Sequence, residues 1–238
     1  MELKNDFLKA TRLLEDALLL VEQNFYFLHA AQFFGKLAKE AKFDDSLLDV
    51  TLVCDKSRTY RFHPQFTKAV LEDSKAHSEG VSLFEYFSAF NAFRGVGMAM
   101  VEAMRLELEF TDFLQNQLDK QYESFYDLLC FVRNVLSHNI HAEIALSSRD
   151  FQGTLKRMRR MKREPIIDFS FIYSRDLPQI ASPYPDYGFE CNIDFGKLEE
   201  GMEFLEILPL WELCMISELS FNLVQAFRGN IANNQELL

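Results

Sequence analysis

Glycine is scarce in this chain, 9 of 238 residues, and tryptophan occurs once. So few glycines argue against a many-stranded α/β enzyme with glycine-rich loops and favour long uninterrupted helices. The four cysteines, Cys54, Cys130, Cys191 and Cys214, are scattered and form no CxxC pair. Zinc-finger spacing is therefore absent, and a chain of this length can bury a core without a disulfide framework. The most apolar stretch of the N-terminal segment, residues 17–21, ends at Glu22, far short of the roughly 20 residues of a membrane span. Glu2, Asp6, Glu15 and Asp16 interrupt the N-terminal segment, which does not read as a signal peptide. A cytoplasmic protein with no membrane association is the expectation. Phosphate-cradling loops are missing as well, because Gly95-Val-Gly97 precedes no Lys-Ser or Lys-Thr. Ser147-Ser148 lacks a nucleophile-elbow context, and Asp44, Asp45, Asp49 and Asp55 are too irregular for a calcium loop. No cofactor is expected.

Phenylalanine is abundant, 24 residues, and supplies much of the apolar mass for a packed core. Net charge is −11, from 25 Lys and Arg against 36 Asp and Glu, which at first discourages a nucleic-acid reading. Its distribution changes that. Residues 165–238 hold 12 acidic side chains against Arg175, Lys197 and Arg228, a balance of −9 that leaves only −2 on residues 1–164. Just before this acidic third stand Lys156, Arg157, Arg159, Arg160, Lys162 and Arg163. Leu155, Met158 and Met161 recur between them at i, i+3 and i+6. They would pack down and leave the cations solvated on a helix face. The sharper reading is a strip of RNA-phosphate contacts.

Apolar spacing of three and four predicts one or two long helices over 2–40, with a break offered by Gly35. Phe25, Phe27, Phe33 and Phe34 widen that apolar surface and predict burial on two sides. Residues 48–54 and 59–62 read as a hairpin, Pro64 as the start of a helix, and 77–80 as a loop. Helices are expected over 82–93 and 98–110, loosened between by Gly95 and Gly97, and again over 112–120 and 122–137. Residues 166–173 and 189–195 alternate like strands, around an irregular segment marked by Pro178, Pro183 and Pro185. Residues 197–227 close the chain as helix with a break at Pro209.

One segment carries chemistry. Arg133 and Asn134 sit near the end of the otherwise apolar helix of 122–137, and His138 follows five residues after the arginine. At about 100° per residue Asn134 and His138 share a face one turn apart, with Arg133 and Ser137 on the neighbouring edge. Arginine is a bidentate phosphate ligand, and the imidazole pKa suits proton transfer near neutrality. The same pair at a helix C-terminus also faces the dipole and caps carbonyls, with no chemistry required.

Arg133-Asn-Val-Leu-Ser-His138 resembles the Arg-x(4–6)-His motif of the HEPN superfamily, in which Asn very often follows the Arg. The resemblance covers about ten residues and the helical surroundings. It implies a mainly α fold, a HEPN-like helical bundle with short β-hairpin or strand insertions. One domain over 1–238 is expected, with insertions near 43–63 and 140–195 and an acidic C-terminal helical segment. It also implies metal-independent RNA cleavage by 2′-hydroxyl attack, with His138 as general base or acid, Arg133 stabilising the phosphorane and Asn134 orienting the histidine or the backbone around it. A homodimer that brings two motifs together, an RNA substrate and a toxin or defence role with an antitoxin partner belong to the same implication. A non-catalytic module that dimerises or binds RNA or a ligand is the alternative.

Phe131, Val132, Val135 and Leu136 flank the polar strip and offer apolar surface for a dimer contact, unless they enter the monomer core. Some toxin relatives carry a Tyr two residues beyond the His. Here that residue is Ile140, so control by tyrosine adenylylation is not supported. His138, His141 and Glu143 would make a metal site only with further ligands that nothing nearby supplies, and no metal is expected.

Overall fold

The three-and-four spacing of the N-terminal segment closes into α1 (Glu2–Glu40), which passes through Gly35 without a break. Hairpin strands β1 (Thr51–Val53) and β2 (Thr59–Arg61) follow, then α2 (Pro64–Ala76) and α3 (Leu83–Leu106). Next come α4 (Leu108–Leu118), α5 (Tyr122–His138) and α6 (Ser148–Arg160). Beyond α6 lie β3 (Ile166–Ile172), the short α7 (Tyr173–Asp176), β4 (Gly188–Asp194), the short α8 (Phe204–Ile207) and α9 (Leu210–Gln235). This computed structural model describes residues 2–40, 42, 48–54, 56, 58–139, 144–177 and 187–235, with the side chains of 2–12 and 231–235 outside the description. The proline-marked segment around Pro178, Pro183 and Pro185 lies outside the described residues, as do Asp44, Asp45, Asp55, Ile140, His141 and Glu143. The fold is mainly α with two small antiparallel hairpins. Among the described residues no helix is long and apolar enough to cross a membrane.

Two compact units divide the chain, Met1–Phe25 with Phe93–Leu238, and Tyr26–Ala92. In the larger unit α5 is the central element, with Phe125, Leu128, Leu129, Phe131 and Val135 fully buried. Phe125 stacks on Phe169 of β3 at 5.4 Å between centroids, and Phe131 meets Phe195 at 5.1 Å and Phe204 at 5.7 Å. The β3–β4 register pairs Phe169 with Cys191 and Phe171 with Phe189. Period-two alternation turns Ile167, Phe169, Phe171, Phe189, Cys191 and Ile193 inward. Leu219, Leu223 and Val224 of α9 are buried, and Phe227 packs on Phe110 of α4 at 4.9 Å. Phe131, Val132, Val135 and Leu136 all enter this core. The apolar dimer surface expected from them is therefore consumed inside the monomer.

Gly95 and Gly97 do not loosen α3, which is helical through both. Gly95 instead allows α1 to approach: a Cβ there would lie 2.0 Å from Oδ1 of Asn24. Residues 195–203 are likewise not helical. A turn and a bridge between Ala145 and Glu203 precede α8, and α9 starts only after Pro209.

In the smaller unit Lys39 pairs with the buried Glu85 at 2.7 Å, and Glu85 also accepts from the Ser82 amide and hydroxyl, both at 2.8 Å. Burial alone would raise the Glu85 pKa, but the Lys39 and Ser82 hydrogen bonds outweigh it and hold the carboxyl below its usual value. Phe27, Phe33 and Phe34 are exposed, so α1 is not buried on two sides as its composition suggests. Both strands of the β1–β2 hairpin are exposed along their whole length.

Candidate active site at the end of α5

The last turns of α5 carry Arg133, Asn134 and His138. The helix around them is apolar and buried, so each polar side chain sits at a defined place on its open edge. Arg133 donates from Nε and Nη2 to Oδ1 of Asn134, at 3.2 and 2.9 Å. The Asn134 amide donates in turn to the backbone carbonyl of Asp150 at 3.4 Å. His138 stands one turn further on, with 46% of its side chain exposed and Nδ1 2.9 Å from Oδ1 of Asp150. Asn134 and His138 thus share Asp150 of α6 as a partner, and Arg133 joins them through Asn134. Ser137 lies exposed, and among the described residues no hydrogen bond ties it to Arg133.

Asp150 is fully buried, which for a carboxylate demands several donors. It has them. Besides His138, its Oδ2 accepts from the Ser147 amide at 2.7 Å, the Ser147 hydroxyl at 3.0 Å and the Asn139 amide at 3.2 Å. The backbone reason is local: Ser147 is the N-cap of α6 and Asp150 its third residue, the spacing at which an acidic side chain reaches back to the cap. An ionised carboxylate only accepts, so in this pairing Nδ1 of His138 donates, on an imidazole that is half exposed. The arrangement can hold an imidazole in one orientation and one tautomer, with a guanidinium linked to it through Asn134 and Asp150.

Asp150 is absent from the motif as read along the chain. The sign of it was Ser147-x-x-Asp150, a cap pattern that fixes a helix start but does not say which side chain will reach it.

The basic strip divides in two. Arg157 pairs with Asp127 at 2.5 Å and with Glu123, and lies over the Tyr126 ring at 4.4 Å. Arg163 pairs with Asp127 at 2.6 Å. Burial pushes the Asp127 pKa up, against the pull of both arginines. These two cations hold the far end of α6 against the start of α5. Lys156, Arg159, Arg160 and Lys162 are exposed. Met158 is fully buried as the spacing predicts, whereas Met161 is 41% exposed. Among the described residues no group of three or more His, Cys, Asp or Glu side chains is placed to hold a metal ion.

Compared with protein-family models, with curated proteins and with solved structures, the chain matches none of them.

Proposed function

We propose that this chain is a HEPN-like metal-independent endoribonuclease whose reaction is carried by Arg133, Asn134 and His138. The observation that carries this reading is the exposed imidazole of His138 held at Nδ1 by the buried Asp150, one turn from Asn134, which Arg133 hydrogen-bonds. A group meant only to cap a helix has no need of a buried carboxylate that fixes the tautomer of a half-exposed imidazole. In this reading Nε2 takes the proton of a ribose 2′-hydroxyl. The freed oxygen attacks the adjacent phosphorus, and Arg133 stabilises the charge that gathers on the phosphorane. The 5′-oxygen then leaves with a proton from an acid, giving a 2′,3′-cyclic phosphate and a free 5′-hydroxyl.

One imidazole per chain supplies one of the two proton transfers. A homodimer that faces two His138 side chains across the cleft supplies both. The exposed Lys156, Arg159, Arg160 and Lys162, on and just beyond the helix that carries Asp150, provide RNA-backbone contacts. A toxin or defence role, with an antitoxin partner, goes with the same reading.

A second reading has an observation of its own. Arg133, Asn134 and His138 each have a protein partner in one closed network, as a module that binds RNA or another ligand without cutting it would also retain. The test is incubation of the purified chain with RNA in EDTA, beside the same RNA bearing 2′-deoxy nucleotides. The proposal expects cleavage of the first and protection of the second, with cyclic-phosphate ends. Binding without cleavage gives the second reading.

A further inference from the structure

Beside Arg133 lies a cleft of about 540 Å³ between α1 and α3, within the larger unit. Its volume falls in the range of about 300–1,000 Å³ usual for ligand sites. Leu20, Met98 and Leu106 form apolar walls, and Leu20 and Met98 are half exposed. Aliphatic and thioether side chains that stay wet on an inner wall are a surface for a flat apolar body. The polar groups of the lining are of both signs. Arg133 is the cation of the lining, Asp16 and Glu102 are carboxylates, and Asn24 is an amide. Asn24 is held in position: its amide donates to the Leu20 carbonyl at 2.7 Å and lies where only a glycine at 95 leaves room.

This pattern specifies its occupant. The carboxylates disfavour a phosphate beside them, whereas Arg133 in the same lining can receive one. A ligand that satisfies both carries an anionic group, a flat apolar body and a cluster of hydrogen-bond donors. We propose that the cleft is a guanine subsite for the RNA substrate, with the base between Leu20 and Met98, Glu102 reading its edge and the neighbouring phosphate on Arg133. Guanine presents two adjacent donors, N1–H and the 2-amino group, to a single carboxylate, which accepts both. Adenine and cytosine place a ring acceptor beside their amine, and uracil offers one N–H between two carbonyls. Against a carboxylate each loses at least one bond. This inference rests on the ribonuclease reading for the placement of Arg133 at a phosphate.

The experiment is titration of the full chain with each of the four ribonucleoside 3′-monophosphates, followed by cleavage-site mapping on a mixed-sequence RNA. The 3′-guanylate is expected to bind at least about tenfold more tightly than the 3′-uridylate, and cleavage ends to cluster next to guanosine. Glu102→Gln is expected to remove that preference without loss of helical signal, since Glu102 is exposed. Met98→Trp, which fills the cleft, is expected to weaken all four nucleotides. Equal binding of the four nucleotides, or a guanine preference that survives Glu102→Gln, overturns the subsite. Cleavage with no base preference likewise overturns it and leaves the ribonuclease reading standing. Guanylate binding that depends on Glu102 in a chain that cuts no RNA supports the subsite and overturns that reading.

Discussion

Replacing Asp150 by alanine removes the acceptor shared by the end of α5 and the start of α6. Four hydrogen bonds go at once: those from His138 at 2.9 Å, Asn139 at 3.2 Å, and the Ser147 amide and hydroxyl at 2.7 and 3.0 Å. Hydrogen bonds to a charged group contribute about 1.5–3 kcal/mol each where the donor is left stranded. Here His138 is half exposed and Asn139 and Ser147 are only partly buried, so water replaces much of the loss. The helix cap accounts for about 1 kcal/mol, and one stranded partly buried donor for about 2. The expected destabilisation is about 3 kcal/mol for Asp150→Ala, on those same grounds. Asp150→Asn keeps the shape and one acceptor but turns an N–H₂ toward other donors, and about half that loss is expected, near 1.5 kcal/mol. His138→Ala, which leaves Asp150 its other three donors, is expected to cost under about 1 kcal/mol. Urea unfolding followed by the helical circular-dichroism signal measures all three. An Asp150→Ala protein within about 0.5 kcal/mol of the parent, or a His138→Ala protein that loses as much as Asp150→Ala, would refute the account of Asp150 as the organiser.

Charge reversal of the exposed Arg159 and Arg160 to Glu is expected to weaken RNA binding across sequences and to reduce the salt slope by about 0.7 for each phosphate no longer neutralised. An unchanged slope returns these residues to a solvated face. Arg157→Ala acts instead on the fold, because it strips a partner from the fully buried Asp127; a loss of about 3 kcal/mol in urea unfolding is expected. Thiol titration of the native chain should count one fast cysteine, Cys54, which is exposed. Burial raises Cys130 and Cys214 and pushes Cys191 up to about 12, which keeps them as unreactive thiols. Glu85 makes acid stability testable. Its folded pKa is depressed below the ordinary 4.5, so its contribution is full above that pH and is lost as pH falls through the lower folded value. Glu85→Gln should flatten the acid limb of a stability-against-pH curve, and an unchanged limb would contradict the sign of that shift.

Helix periods made α1 and α5 legible in the sequence, Pro64 marked the start of α2, and period-two alternation located β3 and β4 to within a residue or two. What failed were positions where glycine or phenylalanine has two meanings. Gly95 reads as a break along the chain, yet in space it is the point where Asn24 of α1 comes close. Phe33 and Phe34 read as core, yet they are exposed, because residue type does not record which face a neighbour covers. The expected helix over 197–203 gave way to a turn, since the bridge from Ala145 to Glu203 is a long-range pairing that local spacing does not encode. The motif Arg133, Asn134 and His138 was legible because it lies on one helix. Asp150, and the division of the basic strip between Arg157 and Arg163 on one side and the exposed cations on the other, depend on how α6 packs against α5.

The central claim is tested most directly by the rate of RNA cleavage in EDTA for the parent chain, His138→Ala and His141→Ala, each checked for helical signal and oligomeric state. The account predicts a fall of about two to four decades for His138→Ala, the range for loss of a general acid or base, and little change for His141→Ala. Undiminished cleavage by a folded His138→Ala protein would contradict it.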